Sequence, residues 1–270
     1  MTENVNLVAW RTRRFLDFIF HSATRYSIHS PFLYSLVDQV VAKPKNRTSE
    51  TYDIEALRRE FLNNEEIIQK TDHGSGAGHG TISTYPVKLS RIARTSLTSS
   101  RHALRYFNLV RHLKSSAILE LGTSLGFTTA YLARANAGGM VVSIEGCPEL
   151  GRIARANLEK LGISNTQVLS GRFDEKLDEA LKILGRPDLV FIDGDHRKES
   201  VLENFERCLS HIHNDSVIIL DDIHGNPGME EAWELLAARD DVRVSLDLFF
   251  SGWLFFRKES SKEHFRLRYL

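Results

Sequence analysis

The chain has 270 residues, 42% hydrophobic and 26% charged, with 35 Lys and Arg against 35 Asp and Glu. That composition suits a globular protein with one full-sized domain plus an appendage, and zero net charge leaves no global field to hold nucleic acid or an anionic membrane. Two cysteines, Cys147 and Cys208, are too few for a disulfide framework, no run nears the roughly 20 apolar residues of a bilayer span, and no export signal is legible, so a reducing, cytoplasmic setting is expected.

Residues 1–115 show helical periodicity and no convincing strand. "VNLVAWRTRRFLDFIFHSA" places Val8, Phe15 and Ile19 on one helical face. Such a helix is expected to pack on the main domain, or on a second copy in a homodimer, rather than on a membrane surface. In "RYSIHSPFLYSLVDQVV" Ser30 and Pro31 read as N-cap and first residue of a helix reaching about Ala42. "TYDIEALRREFLNNEEIIQK" reads as one further helix, and two more are expected near 87–96 and 101–114. Between them "DHGSGAGHG", residues 72–80, holds four glycines in nine residues. It is either a flap bringing Asp72, His73 or His79 to a ligand, or a linker.

From residue 116 the pattern changes. Strands are expected at "AILEL", "MVVSIE", "TQVLS", "DLVFID", "SVIILD", "VRVSLD" and "GWLFFRK", with helices between the first five. The last two, separated by "LFFS", should form an antiparallel hairpin. The expectation is an α/β, Rossmann-like, seven-stranded and mostly parallel sheet over 116–270, preceded by a helical extension over 1–115. Ligands of such sheets bind beyond the carboxyl ends of the strands, where the strand order reverses.

The turn after the first strand runs Gly122, Thr123, Ser124, Leu125, Gly126. The dinucleotide fingerprint needs glycine where Ser124 stands, so that backbone can approach a pyrophosphate. Glu120, just before the turn, would also repel phosphate. A phosphate-free cationic ligand suits the site better, and S-adenosylmethionine is one. Glu145 ends the next strand, where an acid can accept both ribose hydroxyls. "LELGTSLGFTT", "SIEG", "VFIDGDH" and "IILDDIH", in this order over residues 117 to about 258, resemble the class I S-adenosylmethionine-dependent methyltransferases. The resemblance implies Glu120, Gly122, Ser124 and Thr128 around the methionine part of the cofactor. It implies Glu145 at the ribose, Gly146 among the cofactor contacts, and Ser170, Gly171 and Arg172 of "LSGRF" beside the adenine.

After the fourth strand stands Asp193-Gly194-Asp195-His196, without the Pro-Pro-aromatic turn common in enzymes that methylate base amines. Asp221-Asp222 ends the fifth strand. If those strands are neighbours, about 5 Å apart, three carboxylates converge and repel unless a proton or cation intervenes. Oxygen-only ligands favour Mg²⁺, Ca²⁺ or Mn²⁺. The arrangement is similar to metal-dependent O-methyltransferases, both the catechol type and the bacterial type that methylates macrolide sugars. The catechol type carries Asp-Asn where this chain has Asp221-Asp222, and lysine at the position of His196; some sugar enzymes carry histidine. The expected function is therefore O-methylation of a small-molecule hydroxyl, with a divalent metal at Asp193, Asp221 and Asp222 and His196 as base. Asp193 also contacts the cofactor in metal-free relatives. The alternatives are an NAD-linked oxidoreductase and a catalytically silent S-adenosylmethionine-binding protein; a nucleic-acid methyltransferase is disfavoured by charge. His224 could line the substrate pocket, and the pair at 211 and 213 is expected on the surface.

Overall fold

The computed structural model describes residues 6–42, 49–73 and 82–268. Helix α1 (Leu7–His21) is capped by the Asn6 side chain, which accepts from the Ala9 amide. Helix α2 (Pro31–Leu36) starts as expected, with Ser30 accepting from the Leu33 amide, and wider π-helical turns over Val37–Ala42 carry it to its expected end. Helix α3 (Tyr52–Leu62) stops short of the expected length. Asn63 and Asn64 end it, and the Asn64 carboxamide oxygen takes the Glu66 amide 2.8 Å away, an Asx turn that redirects the chain.

Beyond that turn the structure corrects the sequence reading. The β-branched pair Ile67-Ile68 begins a strand, β1 (Ile67–Asp72), antiparallel to β2 (Ser83–Lys88) with Ile67 opposite Lys88 and Asp72 opposite Ser83. The region before residue 116 is therefore not wholly helical. Pro86, which argues against a strand, is tolerated because a two-stranded sheet consists of edges. Of the glycine-rich stretch 72–80, only Asp72 and His73 fall within the described residues; His79 lies outside them. Helices α4 (Leu89–Thr95) and α5 (Ser100–Leu113) follow as expected.

The main sheet is built from β3 (Ala117–Leu121), β4 (Met140–Glu145), β5 (Thr166–Ser170), β6 (Leu189–Ile192), β7 (Val217–Asp221), β8 (Val244–Asp247), β9 (Ser251–Phe255) and β10 (Glu263–Arg266). Helices α6 (Phe127–Ala135), α7 (Pro148–Lys160), α8 (Phe173–Leu184), α9 (Lys198–Leu209) and α10 (Pro227–Ala238) connect the strands from β3 to β8. The order is β10-β8-β9-β7-β6-β3-β4-β5. Every neighbouring pair is parallel except those of β9, which runs against β7 and β8. All seven expected strands form and the terminal hairpin is present; β10, short and charged, is an eighth strand the sequence reading did not contain.

Alternate residues of each central strand serve two cores, as the two-residue period requires. Leu119, Leu121, Val190, Ile192 and Leu220 face α8, α9 and α10. Ile118, Leu189, Phe191, Val217 and Ile219 face Leu33, Leu36, Tyr106 and Leu109 of the N-terminal helices. Helix α1 packs by Phe15 and Phe18 on Phe249, with ring centroids 5.0 and 5.4 Å apart. Among the described residues no helix is long and apolar enough to cross a membrane.

Candidate active site

The strand order reverses between β3 and β6, and a cleft of about 950 Å³ opens at their carboxyl ends. The two end loops touch. A Cβ on Gly122 would lie 2.0 Å from the Asp193 carbonyl oxygen, and Gly122 has φ +104°. Glycine is required there by the neighbouring backbone as much as by any ligand.

Glu145 lies at the cleft wall, held by two amides: Ser124 N–H donates to Oε2 at 2.7 Å and Cys147 N–H to Oε1 at 2.8 Å. Burial raises its pKa, and the amide bonds partly oppose this. Each carboxylate oxygen keeps a lone pair, so a diol can still be accepted. The Ser124 amide, which a dinucleotide fold would aim at pyrophosphate, is already used. The NAD-linked alternative loses its anchor on that ground.

Glu120 is fully buried behind this wall and does not line the cleft. Its Oε2 accepts from Thr129 and Ser143 hydroxyls at 2.5 Å each, while Oε1 is buried without a hydrogen-bond partner. Burial pushes its pKa up to about 7, and the charge of Glu145 adds to this. Ser124, Thr128, Gly146 and Arg172 line the cleft. Arg172 is paired with Asp174 at 2.8 Å. Ser170 and Gly171 do not line it; the Ser170 hydroxyl is exposed and accepts from Arg155 at 3.1 Å.

The expected neighbours β6 and β7 are adjacent, and their acids meet. Thr128 donates to Thr98 at 3.1 Å, and the Thr98 hydroxyl bonds the Asp193 carboxylate. Asp193 shares a hydrogen bond with Asp221, and Tyr106 O–H donates to Asp221 Oδ1 at 3.0 Å. Enclosure by protein is the main cause of the raised pKa of both acids; the charge of Asp222 raises each further. Two enclosed carboxyls this close do not both stay ionised unless a proton or a cation lies with them. Exposed Asp222 stands next to them with φ +50°. Among the described residues no three His, Cys, Asp or Glu side chains form a ready-made metal cage. The donor set is nonetheless all oxygen and carries unneutralised charge, which fits a hard divalent cation.

His196 Nε2 lies 3.9 Å from Asp193 Oδ1, and its side chain is one-third exposed to the cleft at 33%. Burial lowers its pKa below the ordinary 6.5, against the pull of Asp222 and Asp195, so the ring is neutral at pH 7. The sequence reading missed the opposite wall, made by Thr95–Ser99, His102 and Phe250. The His102 and Phe250 rings meet at a 44° tilt with centroids 5.0 Å apart, and burial holds the His102 pKa down at about 4.

Residues 119–223 match the family model of a methyltransferase domain. The chain is 33% identical over 133 residues to a catechol O-methyltransferase of Mycobacterium tuberculosis, covering 48% of this chain and 56% of that one. The chain is thus similar to methyltransferases over residues 119–223, and to a catechol O-methyltransferase over about half of its length. A catechol O-methyltransferase of Niastella koreensis is 25% identical over 168 residues, 59% of this chain and 75% of its own. The chain thus spans little more than half of the first relative and three-quarters of the second. A Podospora anserina methyltransferase solved with S-adenosylhomocysteine superposes with a TM-score of 0.59 at 14% identity, over 86% of this chain and 99% of that one. That last likeness is one of class I fold.

His224 leaves the list of pocket residues. It is buried between Glu230, 3.1 Å from Nδ1, and Asp247, 3.0 Å from Nε2, and stacks on Phe249. Burial alone would lower its pKa, but the two carboxylates raise it to about 9. His224→Ala removes the cation held between two buried acids, leaving Glu230 with Arg14 at 2.9 Å and Asp247 with Arg266 at 3.6 Å and the Phe249 amide, and is expected to cost about 1–3 kcal/mol, read by urea denaturation at pH 7. The folded pKa lies above the unfolded value, so this stabilisation is full below about pH 6.5 and fades as pH rises through about 9. Equal stability of wild type and variant at pH 7 would rule the clamp out.

His213 pairs with Asp188 at 2.9 Å. Asp188 itself takes the Ala117 amide at the amino end of β3, away from the cleft.

Proposed function

We propose that this chain methylates a hydroxyl group of a small molecule, with S-adenosylmethionine as methyl donor. One observation carries the reading: a single cleft runs from the amide-anchored carboxylate of Glu145 to the neutral imidazole of His196. S-adenosylmethionine, when bound, supplies an electrophilic methyl on a sulfonium. Glu145 accepts the ribose hydroxyls, and Ser124, Thr128 and Gly122 shape the floor beside the methionine part. His196 removes the acceptor's hydroxyl proton as its oxygen forms the new C–O bond and the S–C bond breaks, leaving S-adenosylhomocysteine. The His102 and Phe250 ring pair borders the acceptor end. Rate gains come from alignment and from fixed charge.

Asp193, Asp221 and Asp222 would hold a divalent cation, which would add Lewis acidity at the acceptor oxygen. Two copies would pair through the outward residues Val8, Leu16 and Phe20 of α1.

Calorimetry with S-adenosylhomocysteine and NADH tests the donor. Tight binding of NADH with the sulfur compound ignored would end the reading. A screen of small hydroxyl acceptors with Mg²⁺ or with chelator tests the cation. Chelation is expected to lower turnover at least about tenfold, and undiminished turnover would leave Asp193 and Asp221 as a proton-sharing pair without metal.

A further inference from the structure

The β1–β2 hairpin gives the cleft a wall to which methyl transfer assigns no role. Lys70, Thr71, Asp72 and His73 all line it. The hairpin is fastened at the start of α7, where the Thr71 amide donates to Cys147 Sγ at 3.4 Å. His73 closes onto Gly146, with Nε2 2.9 Å from the Gly146 carbonyl oxygen. A Cβ on Gly146 would come within 2.9 Å of the imidazole Cδ2 and lies 4.0 Å from the Gly171 carbonyl oxygen. His73 thus sits where the loops after β4 and β5 converge, one residue past the carboxylate assigned to the ribose.

The chemistry of the ring follows from that contact. A carbonyl oxygen only accepts, so Nε2 carries a proton and donates it. In a neutral imidazole this leaves Nδ1 as a bare acceptor. His73 Nδ1 is buried with no partner, and no other side-chain atom lining the cleft shares that state among the described residues. A buried acceptor without a donor is costly in the empty protein and is answered by a ligand that brings an N–H or O–H.

We infer that His73 recognises the adenine ring, with Nδ1 accepting a hydrogen bond from the exocyclic 6-amino group. The inference rests on the reading of the cleft as an S-adenosylmethionine site. Glu145 already engages the ribose hydroxyls, and the 6-amino group is the N–H donor adenine offers to its surroundings. A 6-oxo purine would set an acceptor against an acceptor. The wall therefore selects adenosine over inosine, and Gly146 is glycine so that the imidazole can lie on the backbone.

Calorimetry on the full chain compares S-adenosylhomocysteine with its 6-oxo counterpart, S-inosylhomocysteine. Wild type is expected to bind the adenosyl compound about tenfold more tightly or better. His73→Phe keeps a ring on Gly146 without either nitrogen. It is expected to lose about tenfold for the adenosyl compound and less than about twofold for the inosyl one. Equal wild-type affinities would overturn the assignment without any variant, as would a His73→Phe protein that keeps the preference. If wild type binds neither compound, the donor reading itself fails and this assignment goes with it.

Discussion

Replacing His196 with alanine is expected to lower kcat by about 10²–10⁴-fold while leaving affinity for S-adenosylhomocysteine within about threefold of wild type. The split follows from position. His196 borders the acceptor side of Asp193, whereas the donor contacts assigned to Glu145, Ser124 and Gly146 lie across the cleft. Melting temperature should move little, because the side chain is partly exposed and makes no close pair. The pH profile gives an independent check. Burial lowers the His196 pKa from 6.5, with Arg11 adding to that and Asp222 and Asp195 opposing it. The basic form is therefore already dominant at neutral pH. The acid limb of kcat/KM should have its midpoint below 6.5, with rate rising as pH climbs through it and level near pH 7. His196→Ala should abolish that limb. A limb unchanged in the variant, or one centred above pH 7, would transfer the role of base to another group.

The parts of the site that sequence made legible share one physical cause. A strand buried on both faces reads as an unbroken apolar run, and the first charged residue ends the core. Glu145, Asp193 and Asp221 each close such a run, so their place at the carboxyl rim could be read directly. Whether a side chain at that rim faces the cleft could not. Glu120 turns into the protein toward Thr129 and Ser143, while Glu145 reaches the wall, and two strands' packing decides the difference. His224 shows the same limit. Its partner Asp247 lies 23 residues further on, so nothing near "DDIHGNPG" marks the clamp. The hairpin failed for a different reason. "EEIIQK" continues the helical period of α3, and only the Asn64 turn, a tertiary docking onto α7 and pairing with a proline-bearing strand make it β1. Strand β10 is four residues with two charges and pairs only at the sheet edge, too little signal for a strand. The wall formed by His102 and Phe250 has no local signature at all, because it joins α5 to the β8–β9 turn, whereas His73 was marked out by the glycines that follow it.

Glu145→Ala is expected to weaken S-adenosylhomocysteine binding by about 10²-fold or more, the effect of losing two hydrogen bonds from a ribose diol to a charged acceptor. The same change releases the Ser124 and Cys147 amides, which now end on its two oxygens, so the loop after β3 and the start of α7 lose their common anchor. Glu145→Gln separates the two consequences. It keeps one oxygen acceptor for the diol and for one amide, but its NH₂ cannot accept from the other amide. It should fold closer to wild type and yet bind about tenfold less tightly than wild type. Isothermal calorimetry of both variants, with thermal unfolding of the free proteins, reads the two effects apart. The order expected for affinity is wild type, then Gln, then Ala. The carboxylate's raised pKa adds a direction: binding that uses the ionised form should weaken as pH falls through that pKa. If Glu145→Ala binds the cofactor product as tightly as wild type, the diol is held elsewhere and the position of the nucleoside in the cleft has to be redrawn.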